Sequence, residues 1–149
     1  MYKRVMDTDV PVEDLIVAVE QMVRHMRHHS VAGGLSTAAS SALGRLIREG
    51  PCRLTDLARS EAVSQPNMTQ LVTRMERTGL VRRAADHNDG RAVLVEVTDT
   101  GLEVFRQRRA ERAHALHLLI EELSEPERQA VRIALPALAR AIEDHQAHT

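Results

Sequence analysis

A chain of 149 residues is long enough for one domain with appended helices and a core of its own, and too short for two enzymatic domains. Aromatic residues are nearly absent, with Tyr2, Phe105 and no Trp, so the interior must be built from Leu, Val, Ile, Ala and Met, which favours helices over a sandwich or barrel. Formal net charge is −1, and the single cysteine, Cys52, excludes both a disulfide framework within the chain and a thiolate cluster for zinc or iron–sulfur binding.

In chain order, Leu15, Ile16, Val19, Met22, Val23 and Met26 recur at helical spacing and predict a first helix from Asp14 to His29, ended by Gly33 and Gly34. Ser36 is placed to cap a second helix through Leu43, Leu46 and Ile47 that stops at Gly50 and Pro51. Ala38, Ala39 and Ala42 keep that helix narrow, so a neighbour can approach closely. Thr55 is the expected N-cap of a short helix carrying Leu57 and Ala58 inward. A bend at Ala62 and Val63 precedes a second N-cap, Ser64, with Pro66 in the first turn, where its missing N–H costs little. Two short capped helices across a tight link outline a helix-turn-helix.

After Gly79 the apolar period changes from that of a helix to that of a strand. Leu80 and Val81 lead into an extended piece, ADHNDGR supplies turn residues, and Val93, Val95 and Val97 form a returning strand, so a hairpin with a tip of roughly six to eight residues is expected. Thr98 then caps a long helix through Phe105 and Leu123. Ser124 and Glu127 form a capping box for the last helix, in which Val131, Leu135, Leu138 and Ile142 make a stripe and Pro136 is expected to introduce a kink. The predicted class is mainly α with a small β-hairpin. No apolar run approaches the length of a signal segment or membrane span, and a cytoplasmic protein with no membrane partner is the expectation.

The segment from Ser64 to Arg77 carries the most chemical information. On a helical wheel Met68, Leu71, Val72 and Met75 gather on one side. Pro66, Gln70, Thr73 and Arg77 fall opposite, flanked by Asn67, Arg74 and Thr69, with Ser64 and Gln65 at the start. Gln and Asn can pair bidentately with adenine, Arg with guanine, and Thr methyl groups can touch thymine. A solvated helix face would also be polar, so the reading rests on context: a short capped helix before it, a tight turn, and an Arg-bearing hairpin after it. Net charge between Arg74 and Arg83 is +3, while acidic residues collect in Leu119 to Glu127, so a near-neutral total can hide a basic face. On the hairpin, Arg82 and Arg83 lie on the ascending strand and His87, Asn88 and Arg91 surround the tip, suited to a phosphate backbone or minor groove. An ion pair from Arg91 to Asp86 or Asp89 that closes the loop is the alternative for that residue.

From Leu54 to Gly101 the chain resembles the winged helix-turn-helix of the MarR family of bacterial regulators. The LTDLA start of the first short helix, MERTGLVRR at the end of the second, the DHNDGR wing and the VEVTDTG strand exit carry the resemblance. It implies an N-terminal dimerisation helix over residues 1–35, a DNA-binding lobe over 36–101 and C-terminal dimerisation helices over 102–149. It also implies a homodimer on a pseudo-palindromic site in double-stranded DNA, repression by promoter occlusion, and release by a small aromatic or phenolic effector. The chain departs at Asn88, where the family's wing often has Arg. His87, Asn88 or Arg91 must therefore supply that contact, or the contact is weaker.

Other chemistry is thinly represented. His25 and His29 have a spacing that can chelate a metal, but no Cys or carboxylate lies beside them, and no metal or cofactor is expected. Arg53 beside Cys52 raises the idea of a redox-sensing thiolate. Nucleophile-elbow, phosphate-loop and HExxH motifs are missing, so no enzyme is predicted. The stronger rival is a helical dimer that binds another protein through its end helices, a role that would leave the Arg-bearing wing without a purpose.

Overall fold

The computed structural model describes residues 10–28 and 35–148. Their elements are α1 (Val12–His28), α2 (Thr37–Glu49), β1 (Cys52–Arg53), α3 (Leu54–Ser60), α4 (Gln65–Arg77), β2 (Val81–Ala85), β3 (Val93–Val97), α5 (Asp99–Glu121) and α6 (Glu125–Ala147). The chain divides into two units, Met1–Arg112 and Ala113–Thr149, with the boundary inside α5.

In the first unit the hairpin strands β2 and β3 pair antiparallel from Val81↔Val97 to Ala85↔Val93, leaving residues 86–92 as the tip. β1 adds a third strand through Cys52↔Val95 and Arg53↔Leu94, giving the order β1-β3-β2. That strand is absent from the expected element order, and it moves a helix start. Pairing holds Arg53 extended (φ −68°, ψ 147°), so α3 begins at Leu54 with Arg53 as its N-cap residue, and Thr55 lies inside the first turn instead of capping it. The other predicted caps are present. Ser36 accepts from the Ala39 amide at 3.1 Å, Ser64 from the Asn67 amide at 3.4 Å, and Thr98 from the Gly101 amide at 3.0 Å.

The core joins Ala42, Leu43 and Leu46 of α2 to Leu57 and Ala58 of α3, Met68, Leu71, Val72 and Met75 of α4, and Leu80, Val81 and Val95 of the hairpin. Val104 and Phe105 of α5 pack on it. Each large aliphatic side chain so buried contributes roughly 1.5–3 kcal/mol.

Two glycines shape the joint between α4 and β2. Gly79 takes φ 75° just past the helix, where its amide donates to Glu76 O and the Leu80 amide reaches Met75 O at 2.9 Å. This left-handed stop satisfies the last carbonyls and swings Leu80 into the core. Gly101 meets the same joint from α5: a Cβ there would lie 2.0 Å from Leu80 O, so only glycine lets α5 start this close. That contact accounts for the glycine in VEVTDTG.

In the second unit, Ser124 donates to the Glu127 carboxylate from both its amide and its hydroxyl, at 2.9 and 2.6 Å. Arg128 donates back to Leu123 O and Glu121 O, closing the turn between helices. α6 continues through Pro136 and has no buried residue. α1 has none either, and Val12, Leu15, Ile16, Val19 and Val23 are exposed along it. The expected first-helix end, His29 with Gly33 and Gly34, lies outside the described residues. Within those residues no helix is long and apolar enough to cross a membrane.

Candidate nucleic-acid interface

The two faces of α4 separate as the wheel predicts. Met68 and Val72 are 0 % exposed and Leu71 and Met75 nearly so, whereas Ser64, Gln65, Pro66, Asn67, Thr69, Gln70, Arg74 and Arg77 are exposed. Thr73 is half-buried. Among the described residues, Arg74 and Arg77 have no carboxylate within ion-pair reach, so their guanidinium groups remain available to an external acceptor. Thr69 and Thr73 instead turn their hydroxyls back to Gln65 O and Thr69 O, at 2.9 and 2.8 Å. Those donors are spent inside the helix, leaving chiefly methyl groups for contact.

The turn before α4 is braced from α2. Ala62 adopts φ 52° between α3 and α4. Next to it, the Glu61 carboxylate accepts from Ser41 Oγ at 2.5 Å and from Arg45 Nε at 2.6 Å, and Arg45 also reaches Ser60 O and Glu49. Burial would raise the Glu61 carboxyl, but hydrogen bonds from Ser41 and Arg45, with the charge of Arg45, more than offset it and hold the group below the ordinary glutamate value. The charged brace therefore ties the helix-turn-helix bend to the scaffold.

The strand arginines are less free than the sequence count suggests. Arg82 pairs with Glu96 directly across the hairpin. Arg83 pairs with Glu76 at 2.5 Å and donates to Thr73 Oγ1 at 3.2 Å, linking β2 to the exposed edge of α4. The sum of +3 omitted Glu96, which the hairpin folds back onto Arg82. Positive charge at this face is consequently concentrated in Arg74, Arg77 and Arg91.

At the tip, His87, Asn88 and Arg91 are exposed. Asp86 Oδ1 accepts from the Asn88 amide at 2.9 Å and Asp89 Oδ1 from the Arg91 amide at 3.2 Å, so each carboxylate folds a short turn. The ion pair anticipated for Arg91 is made by another residue. Arg53 Nη2 lies 3.3 Å from Asp86 Oδ2 and 3.4 Å from Asp89 Oδ2, leaving the Arg91 guanidinium without an ion pair among the described residues. The Asn88 amide, and then Arg53, hold the Asp86 carboxyl below the ordinary aspartate value against the opposing effect of burial.

One side reading changes, and the His25 and His29 pair stays untested. Burial, reinforced by Asp56 and Glu49, pushes the Cys52 thiol above its ordinary value, and the guanidinium of Arg53 is directed to the wing; a thiolate favoured by Arg53 is therefore not supported. His29 is outside the described residues, and among those residues no group of three His, Cys, Asp or Glu side chains could hold a metal ion.

A capped helix with one face in the core and a polar, Arg-bearing face outward, followed by a hairpin with an exposed Arg at its tip, defines a winged helix-turn-helix. The MarR family model matches residues 35–93. An HTH-type transcriptional regulator of Mycobacterium bovis is 31 % identical over 131 residues, which cover 88 % of this chain and 92 % of that protein. The fold is also that of RV1404 from Mycobacterium tuberculosis, at TM-score 0.79 and 24 % identity over 92 % of this chain and 95 % of the other. Wild-type MarR from E. coli superposes at TM-score 0.70 and 23 % identity, covering 87 % and 97 % of the respective chains. The chain belongs to the MarR family of DNA-binding transcriptional regulators.

Proposed function

We propose that the protein is a homodimeric repressor of nearby genes that binds a pseudo-palindromic operator through two copies of α4. Gln65, Asn67, Gln70 and Arg74 read base edges, Thr69 and Thr73 offer methyl groups, and Arg77 and Arg91 contact phosphates. Ser64 and Pro66 bring the N-terminus of α4 to the groove, while Arg82, Arg83, His87 and Asn88 complete the flank. The observation that carries this reading is the division of α4 into a buried aliphatic face and an exposed face of base-reading residue types. Dimerisation is supported by the exposed apolar residues of α1 and by Leu138 and Ile142 of α6, about 60 % exposed each, which a lone chain leaves in water. Residues 1–35 and 102–149 serve as dimerisation segments around a DNA-binding lobe of 36–101. The protein works in the cytoplasm, and a small aromatic or phenolic effector releases it from DNA.

Selection on random duplexes, followed by gel shifts at several salt concentrations, tests this reading. The expected result is a palindromic preference with half-sites about one helical turn apart and affinity that falls steeply with salt. Dimers that select no sequence would favour the protein-binding rival.

A further inference from the structure

The wing tip closes upon itself but has little to fix its direction. The Asp86 amide donates to Ala92 O, the Ala92 amide to Asp89 O, and the two aspartates accept from Asn88 and Arg91, all within residues 86–92. Residues 87–91 are exposed, so no apolar side chain anchors them. Among the described residues, the side-chain tie from this loop to the helix-turn-helix is Arg53, the residue immediately before α3. Each aspartate divides its labour: Oδ1 makes the turn and Oδ2 receives Arg53.

We infer that Arg53 is a positioning residue for DNA recognition, clamping the wing tip so that Arg91, His87 and Asn88 face the same duplex that α4 reads. It has a second effect in the same place. Asp86, Asp89 and Arg91 alone give the tip a net negative charge, which repels phosphate; Arg53 cancels it. Because the pairs are partly exposed, the clamp weakens as salt rises. This inference rests on the DNA-binding reading above.

The test uses the full-length protein and the duplex selected by the parent. Asp86→Asn with Asp89→Asn keeps the turn-making carbonyl oxygens but removes the acceptors for Arg53. In the parent background Arg53→Ala is expected to weaken binding roughly three- to tenfold and to erase protection of the minor groove beside each half-site, leaving the base preferences of α4 unchanged. In the double-Asn background the same substitution should change affinity by less than about twofold, because Arg53 then has nothing to hold. Arg53→Lys should recover part of the loss. Equal losses in both backgrounds would mean that Arg53 touches DNA itself, and would overturn the clamp. Amide hydrogen exchange in the DNA-free protein decides the clamp separately: faster exchange at Asn88 and Arg91 in Arg53→Ala supports it, and unchanged exchange overturns it. Failure of the parent to select any duplex would sink the DNA-binding reading while leaving that exchange result to stand on its own.

Discussion

The recognition helix and the wing tip are both polar outward, yet they are held by different forces. α4 is set by four buried side chains, a serine cap, a left-handed stop at Gly79 and the Glu61 brace. The tip has hydrogen bonds of its own and two partly exposed ion pairs to Arg53. Hydrophobic burial is non-directional and indifferent to moderate salt, whereas exposed ion pairs are screened over a Debye length of about 10 Å at 0.1 M. The part proposed to read bases is therefore fixed by packing, and the part proposed to track the DNA backbone is adjustable.

The largest expected effect breaks the first half of that comparison. Val72→Asp places a carboxylate where there is no room for water and should cost more than about 4 kcal/mol, unfolding the lobe in thermal denaturation. A cooperative transition close to the parent's would show that α4 is not fixed by its buried face. Next, Arg74→Ala and Arg91→Ala separate reader from flank. Arg74→Ala is expected to cost about 1–3 kcal/mol of binding and to relax preference at one base pair if it reads guanine. Arg91→Ala should weaken all sequences alike and reduce the salt slope by about one. Competition binding against single-base variants of the operator distinguishes them, and matching profiles would erase the proposed division of roles.

The smallest effect concerns the brace. The folded Glu61 carboxyl lies below its unfolded value, so its contribution to stability is fully present above about pH 4.3 and is lost as pH falls through the folded value. Glu61→Gln should melt below the parent at pH 7, with the two melting temperatures converging in acid. A gap that does not change with pH would show that the charge of Glu61 does not hold the turn.

Legibility in the sequence follows the distance between interacting groups along the chain. Ser36, Ser64 and Thr98 act on amides three residues away, and Glu127 on Ser124 over the same span. Such devices can be read from spacing, as can the two faces of α4 and the hairpin strands. The Thr55 cap failed because its helix start depends on β1, whose partner β3 lies about forty residues further on. Arg53 reaches Asp86 across 33 residues and Asp89 across 36, Ser41 reaches Glu61 across 20, and Arg82 meets Glu96 across 14. No local pattern marks these pairs: along the chain Arg53 stands beside Cys52 and the two wing aspartates beside Arg91, so spacing alone couples each charge to the wrong neighbour.

By itself, then, the amino-acid order determined which segments coil, where most of them stop, and which side of α4 is oily, because caps, turns and periodicity act within a few residues. Tertiary structure alone decided which arginines stay available: Arg82 and Arg83 are drawn into pairs with Glu96 and Glu76, Arg53 is drawn to the wing, and Arg74, Arg77 and Arg91 are left outward. Ion pairing depends on distance in space, and that distance exists only once the sheet and core have closed.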